Sequence, residues 1–210
     1  MPSFEKSIEF NAYLTDTINR WFFSLINQPI IILDFGCGNG LMTHFIQESF
    51  HTAQVTGVDI DSLQVLKNQK EYPKIIFTTI NKDILPFADN SFDLIYSTLV
   101  MHHIPKQEHA KTFNELLRML KPNGSLIIFE LNPYNWQTKK TFTKEHTADS
   151  TMIKPGYLKT TFKNNSCTVK ISYLYPKISC SILASLEPSL IHFPFGSLYA
   201  VEIKKIQKNS

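Results

Sequence analysis

The sequence is poor in cysteine: it has three, Cys37, Cys167 and Cys180. An odd number at wide spacing makes neither a disulfide framework nor a thiolate zinc site, so no metal is expected and a reducing cytoplasm is the expected compartment. No stretch approaches the roughly 18 consecutive apolar residues needed to span a bilayer. The start, MPSFEKSIEF, lacks a basic segment followed by an apolar run, so neither a signal peptide nor a membrane partner is expected. Charge of one sign is also missing. Twenty-one basic residues face 18 acidic ones, a net charge of +3. A nucleic-acid-binding domain would carry a stronger basic excess, so no nucleic-acid partner is expected. Charged residues make up 19% and hydrophobic residues 43%, which excludes disorder and supplies a core. There is no internal repeat and no low-complexity tract. Glycine is scarce as well, at seven residues.

Three of those seven fall within five positions, at Gly36, Gly38 and Gly40. Ile30 to Leu33 runs into Asp34 just before them, and Leu41 to Phe50 follows with helical spacing. The pattern is strand, glycine turn, helix. Glycine has no Cβ, so the backbone can take positive φ and pass close to a ligand. The following helix offers unpaired N–H groups at its start. Such a turn suits a nucleotide-like ligand with an anionic end.

The rest of the chain alternates in the same way. Residues 4–27 predict a helix, with Ile18, Trp21, Phe22, Leu25 and Ile26 on one apolar stripe, ended by Pro29. Strands are predicted at Ile30–Asp34, Gln54–Asp59, Lys74–Thr79, Phe92–Thr98 and Ser125–Leu131. Helices are predicted at about 41–50, at Ser62–Lys70 with Asp61 or Ser62 as cap, and at Lys106–Leu120. Lys121-Pro122-Asn123-Gly124 reads as a stop and turn. Residues 132–153 read as loop or short helices, and Pro155–Asn164 as a short helix. Cys167–Tyr175 reads as strand six, Ile178–Ile191 as apolar at helical spacing, and Ser197–Ile203 as strand seven. Strands alternating with helices predict an α/β fold with a doubly wound, mostly parallel sheet and helices on both faces. Ligands in such sheets sit at the carboxyl ends of the strands. Asp34–Gly40, Asp59, Ser97–His103 and Glu130–Asn132 all fall there.

The glycine spacing narrows the ligand. A dinucleotide fingerprint needs G-x-G-x-x-G, and Leu41 stands where the last glycine should be. A Walker A loop is excluded, since no Gly-Lys-Ser/Thr follows. Leu33-Asp34-Phe35-Gly36-Cys37-Gly38-Asn39-Gly40 resembles motif I of the class I S-adenosylmethionine-dependent methyltransferases. Further signals follow in that family's order. They are Asp59 at the second strand end, Asp83-Ile84-Leu85-Pro86-Phe87, Ser91–Ile95 into Val100-Met101-His102-His103-Ile104, and Leu117-Arg118-Met119-Leu120-Lys121-Pro122-Asn123-Gly124. In the last of these, Asn123 replaces a glycine and tolerates positive φ. The resemblance covers roughly residues 28–131. The tail (Glu130–Asn135 and Phe193–Tyr199) is similar to a small uncharacterised bacterial subgroup, of the methyltransferase type 11 and type 25 kind.

The resemblance implies a Rossmann-like seven-stranded sheet with an antiparallel seventh strand. It implies S-adenosylmethionine as cofactor, leaving as S-adenosylhomocysteine. Asp59 would accept both ribose hydroxyls, and Asp83 and Ile84 would border the adenine. Asp34 would order the glycine loop or reach the methionine ammonium. Gly36, Cys37, Gly38, Gly40, Ile60, Ser97 and Met101 complete the expected cofactor contacts, Cys37 for its small size. His103, with His102 second, is the candidate base or substrate contact. The bland alternative is that one of the pair packs or caps the next helix. Tyr13, Tyr134 and Trp136 could wall the acceptor. One domain over 1–210 is expected, with 1–28 as a helical lid, 29–131 as the cofactor core and 132–210 on the substrate side. The leading function is methyl transfer to a small-molecule oxygen, nitrogen or carbon, by a monomer or homodimer. The alternatives are methylation of RNA or protein, or a non-catalytic cofactor-binding regulator.

Overall fold

The computed structural model describes residues 8–81, 85–145, 150–163, 167–176 and 192–206. The apolar stretch 178–191, with Cys180, lies outside them, as do residues 1–7. Seven strands form one mixed sheet in the order β3-β2-β1-β4-β5-β7-β6. They are β1 Ile31–Phe35, β2 Gln54–Asp59, β3 Ile76–Thr79, β4 Phe92–Thr98, β5 Leu120–Leu131, β6 Cys167–Leu174 and β7 Leu198–Lys205. β1 runs parallel to β2 and β4, and β2 parallel to β3. β7 runs antiparallel to both β5 and β6. The mostly parallel sheet with an antiparallel seventh strand is the expected one. The helices are α1 Ile8–Trp21, α2 Leu41–Ser49, α3 Ser62–Glu71, α4 His109–Met119, α5 Trp136–Glu145 and α6 Pro155–Lys163. Among the described residues no helix is long and apolar enough to cross a membrane.

By its contacts the chain divides into two compact units. Unit one is Met1–Tyr96 with Arg118–Lys121, and unit two is Ser97–Leu117 with Pro122–Ser210. Unit one holds β1, β2 and β3. Ile32, Leu33, Val58, Leu94 and Ile95 are fully buried, which is why these strands read as continuous apolar runs. α1 lays Leu14 and Ile18 into the same core, and packs on α2 through Thr15 and Met42. Asp61 caps α3 by accepting from Leu63 N at 3.0 Å and Gln64 N at 3.1 Å. Lys121 Nζ donates to Asp93 Oδ2 at 2.7 Å, and the same oxygen accepts from Ile31 N at 2.8 Å.

Unit two is built on β5 and β7. Leu126, Ile127, Ile128 and Phe129 of β5, and Tyr199, Ala200 and Val201 of β7, have no exposed surface. α6 seals them with Leu158 and Phe162. β6 is the outer strand and alternates exposed with inward residues, as a half-solvated edge should. Asn132 ties the end of β5 to the approach to β7, donating from Nδ2 to Pro194 O at 3.0 Å and Gly196 O at 2.7 Å.

Three expectations change. The first predicted helix ends at Trp21, and Phe23–Leu25 is a separate 3₁₀ turn. The predicted Lys106–Leu120 helix is a 3₁₀ turn over Lys106–Glu108 followed by α4. The stop at Lys121–Gly124 is absorbed into β5, which starts at Leu120; Asn123 there takes φ +64°.

Candidate functional site

The glycine turn in unit one joins β1 to α2 through three left-handed residues, Gly36 at φ +79°, Gly38 at +50° and Gly40 at +74°. Its near side is bolted to the end of β2. Gly36 N and Cys37 N both donate to Val58 O, at 2.8 and 2.9 Å. Asn68 of α3 is fully buried and holds the turn from below, donating from Nδ2 to Gly38 O at 2.8 Å. Gln64 Nε2 steadies Asn68 in turn, at 2.9 Å. A Cβ on Gly40 would lie 3.0 Å from the Phe77 ring and 3.0 Å from Asn68 Cγ. At Gly38 an added Cβ would meet nothing within 4 Å, so the outer surface of the turn is open.

Asp59, half-buried at the end of β2, is held beside that open surface. Its Oδ2 accepts from Gly38 N at 2.8 Å and its Oδ1 from Asp61 N at 3.0 Å. Each carboxylate oxygen has a second lone pair. The arrangement is a fixed double acceptor beside a bare backbone, which fits a vicinal diol. The residues therefore fit the cofactor implied by the resemblance. Ile60, next in the chain, is 60% exposed, available as an apolar surface.

Asp34 is buried and faces away from solvent. Its Oδ2 accepts from Thr43 Oγ1 of α2 at 2.6 Å. Burial raises its pKa to about 7, against the lowering effect of Thr43 and the Tyr96 phenol, while Asp59 adds to the rise. Tyr96 is driven well above the phenol range, by burial first and then by Asp34. Through Thr43 the end of β1 is tied to α2 across the glycine turn. Cys37 packs among Val65, Ile75 and Phe77, and burial pushes its thiol up, away from reactivity. Asp83 and Ile84 lie outside the described residues.

Unit two carries the second group of expected residues. Leu99 N donates to Phe129 O at 2.9 Å, and the 3₁₀ turn Met101–His103 follows. Met101 is fully buried, and Ser97 Oγ is buried with no hydrogen-bond partner among the described residues. His102 is buried and its Nδ1 lies 2.8 Å from Glu130 Oε2; both side chains are 1% exposed. His103 is exposed, with Nδ1 3.5 Å from Ser150 Oγ. At the start of α4 the His109 ring faces back to the preceding turn, with Nε2 3.1 Å from Met101 O and 2.9 Å from Ile104 O. Tyr134 and Trp136 are 55% and 69% exposed, whereas Tyr13, in unit one, is half-buried. Asn68 and Thr43 were not singled out in the sequence, and Glu130 was placed at the end of the fifth strand without a role of its own.

Comparison with known proteins agrees with this geometry. The profile described as "Methyltransferase domain" matches residues 33–128. A demethylmenaquinone methyltransferase of Chlamydia caviae is 32% identical over 115 residues, 54% of this chain and 49% of that protein. A phthiotriol/phenolphthiotriol dimycocerosates methyltransferase of Mycobacterium ulcerans is 27% identical over 106 residues, 50% of this chain and 38% of that one. The chain thus spans less than half the length of these curated relatives. Among solved structures, a SAM-dependent methyltransferase from Archaeoglobus fulgidus superposes with a TM-score of 0.71 over 93% of this chain and 94% of that one, at 15% identity, a likeness of fold. Residues 33–128 thus carry a methyltransferase domain of the class I S-adenosylmethionine-dependent kind.

Proposed function

We propose that the protein is an S-adenosylmethionine-dependent methyltransferase acting on a small-molecule acceptor. The observation that carries the reading is the Asp59 carboxylate, fixed by Gly38 N and Asp61 N beside an open glycine turn. Asp59 would hold the ribose diol, through charge-assisted bonds. Gly36–Gly40 and the start of α2 would receive the methionine carboxylate. The bound sulfonium supplies an already activated methyl group. The protein's task is then to hold two reactants in line, to exclude water and, where the acceptor carries a proton, to remove it.

The relatives' names point to apolar acceptors, a quinone in one case and a lipid in another. The exposed rings of Tyr134 and Trp136 suit an acceptor of that kind. The near-balanced charge, +3 in 210 residues, favours this over RNA methylation. A regulatory role without catalysis is the remaining alternative. The test is transfer of labelled methyl from S-adenosylmethionine to 1,4-dihydroxynaphthalene, a small apolar X–H acceptor, against a transfer RNA pool and a protein lysate. Labelling of the naphthalene alone supports the reading. Labelling confined to RNA or protein refutes it.

A further inference from the structure

The Met101–His103 turn is held in an unusual way. The residue leading into it, Leu99, has φ +58° and is buried. A branched apolar residue in the left-handed region costs about 1–2 kcal/mol, so something must hold the chain there. Glu130 does so from the end of β5. Its Oε1 accepts from His102 backbone N at 3.3 Å, while its Oε2 takes His102 Nδ1 at 2.8 Å. One carboxylate grips both the backbone and the ring of one residue.

The grip has a chemical consequence. An ionised carboxylate can only accept, so the proton of a neutral His102 ring sits on Nδ1 and the ring's lone pair on Nε2. The His103 ring lies 4.1 Å from that of His102, tilted by 44°. His103 thus packs on the ring that the buried Glu130 carboxylate holds. Among the described residues the Tyr199 phenol of β7 also lies near Glu130, and it is raised by burial and then by Glu130 itself. That phenol donates to Ile153 O at 2.8 Å and stays protonated. Phe142 meets His102 edge-on and brings no charge.

Resting on the methyltransferase reading, we propose that Glu130 is the positioning residue of a proton-accepting histidine pair: it fixes His102 as the Nδ1–H form and sets the proton affinity of the exposed His103, which takes a proton from an X–H acceptor. In that step the X–H bond breaks and its proton goes to a His103 nitrogen lone pair. The electron pair left on X forms the X–CH₃ bond, and the S–CH₃ pair leaves with sulfur as a neutral thioether. The substrate class is therefore a hydroxyl or acidic C–H compound rather than a thioether or tertiary amine, which has no proton to give.

The experiment is a long-range proton–nitrogen NMR titration of the imidazoles in the full chain, wild type and Glu130→Gln. The glutamine oxygen can accept from the His102 ring N–H or from its backbone N–H, not both, so the variant removes the charge together with one of the two bonds. Wild-type His102 should carry its neutral-form proton on Nδ1. In Glu130→Gln the titration midpoints of His102 and His103 should both fall by about a unit. With 1,4-dihydroxynaphthalene, the acid limb of the turnover profile should move down in the same variant, with KM for S-adenosylmethionine unchanged and partial rescue by Glu130→Asp. Should Glu130→Gln fail to fold, the wild-type tautomer and His103→Gln decide; the latter should lose roughly 10²-fold in kcat. A wild-type proton on Nε2, unmoved midpoints, or unchanged kcat in His103→Gln overturns the proposal. Loss of the methyltransferase reading would show separately, as wild type that binds no S-adenosylmethionine while its imidazoles still respond to Glu130.

Discussion

Asp34 gives the sharpest physical prediction. Its carboxyl is raised from 3.8 to about 7 in the folded protein, with burial as the largest cause. A raised acid favours the protonated form in the fold, so its ionisation works against folding. The penalty is absent below the unfolded pKa, grows as pH rises between the two values, and is constant above the folded one. At 1.36 kcal/mol per unit, it amounts to about 2 kcal/mol at pH 5 and about 4 kcal/mol at pH 8. Asp34→Asn removes the titration. The amide oxygen can still accept from Thr43 Oγ1, now 2.6 Å from Oδ2. Whatever the buried amide itself costs is the same at both pH values. Urea unfolding of both proteins at pH 5 and pH 8 isolates the effect, because other titrating groups cancel in the difference. The variant should gain roughly 2–3 kcal/mol relative to wild type on going from pH 5 to pH 8. A difference that is equal at the two pH values would show that Asp34 ionises normally in the fold, and the burial argument would be wrong.

Other perturbations follow from close contacts. A Cβ at Gly57 would sit 2.7 Å from the Phe77 ring, so Gly57→Ala should lose about 1–3 kcal/mol of stability by thermal or urea unfolding; a neutral result would mean that β2 and β3 shift freely. Asn68→Ala removes the support of Gly38 O and should cost about 1–2 kcal/mol of stability, with weaker S-adenosylmethionine binding by calorimetry. At Gly196 an added Cβ would come upon the backbone carbonyl of Leu174. Gly196→Ala should therefore displace the 193–197 loop and break the Asn132 bonds, visible as amide shifts confined to unit two.

Much of the sheet was legible in sequence. β1, β2 and β4 are buried on both sides, so their apolar runs are unbroken, and glycine or asparagine marks the turns beside them. α5 was harder to see, because among its described side chains the inward positions are only Thr138 and Phe142, four residues apart in a lysine- and threonine-rich stretch. The early start of β5 was hidden by Pro122 and Gly124, residues that usually stop a strand. At the site, the glycine turn and Asp59 could be read locally, since they lie on consecutive strands. The Glu130 grip on His102 could not. The two are 28 residues apart, and they meet only because Leu99 and Phe129 are hydrogen-bonded neighbours.

The central claim is that Asp59 and the glycine turn bind S-adenosylmethionine. Titration calorimetry on the full chain tests it directly, with wild type, Asp59→Asn and Asp59→Ala. Wild type should bind with one site. The variants should lose roughly 10²-fold or more in affinity, since each hydrogen bond to a charged group contributes about 1.5–3 kcal/mol. No heat of binding up to millimolar S-adenosylmethionine, or equal affinity in all three proteins, would contradict the account.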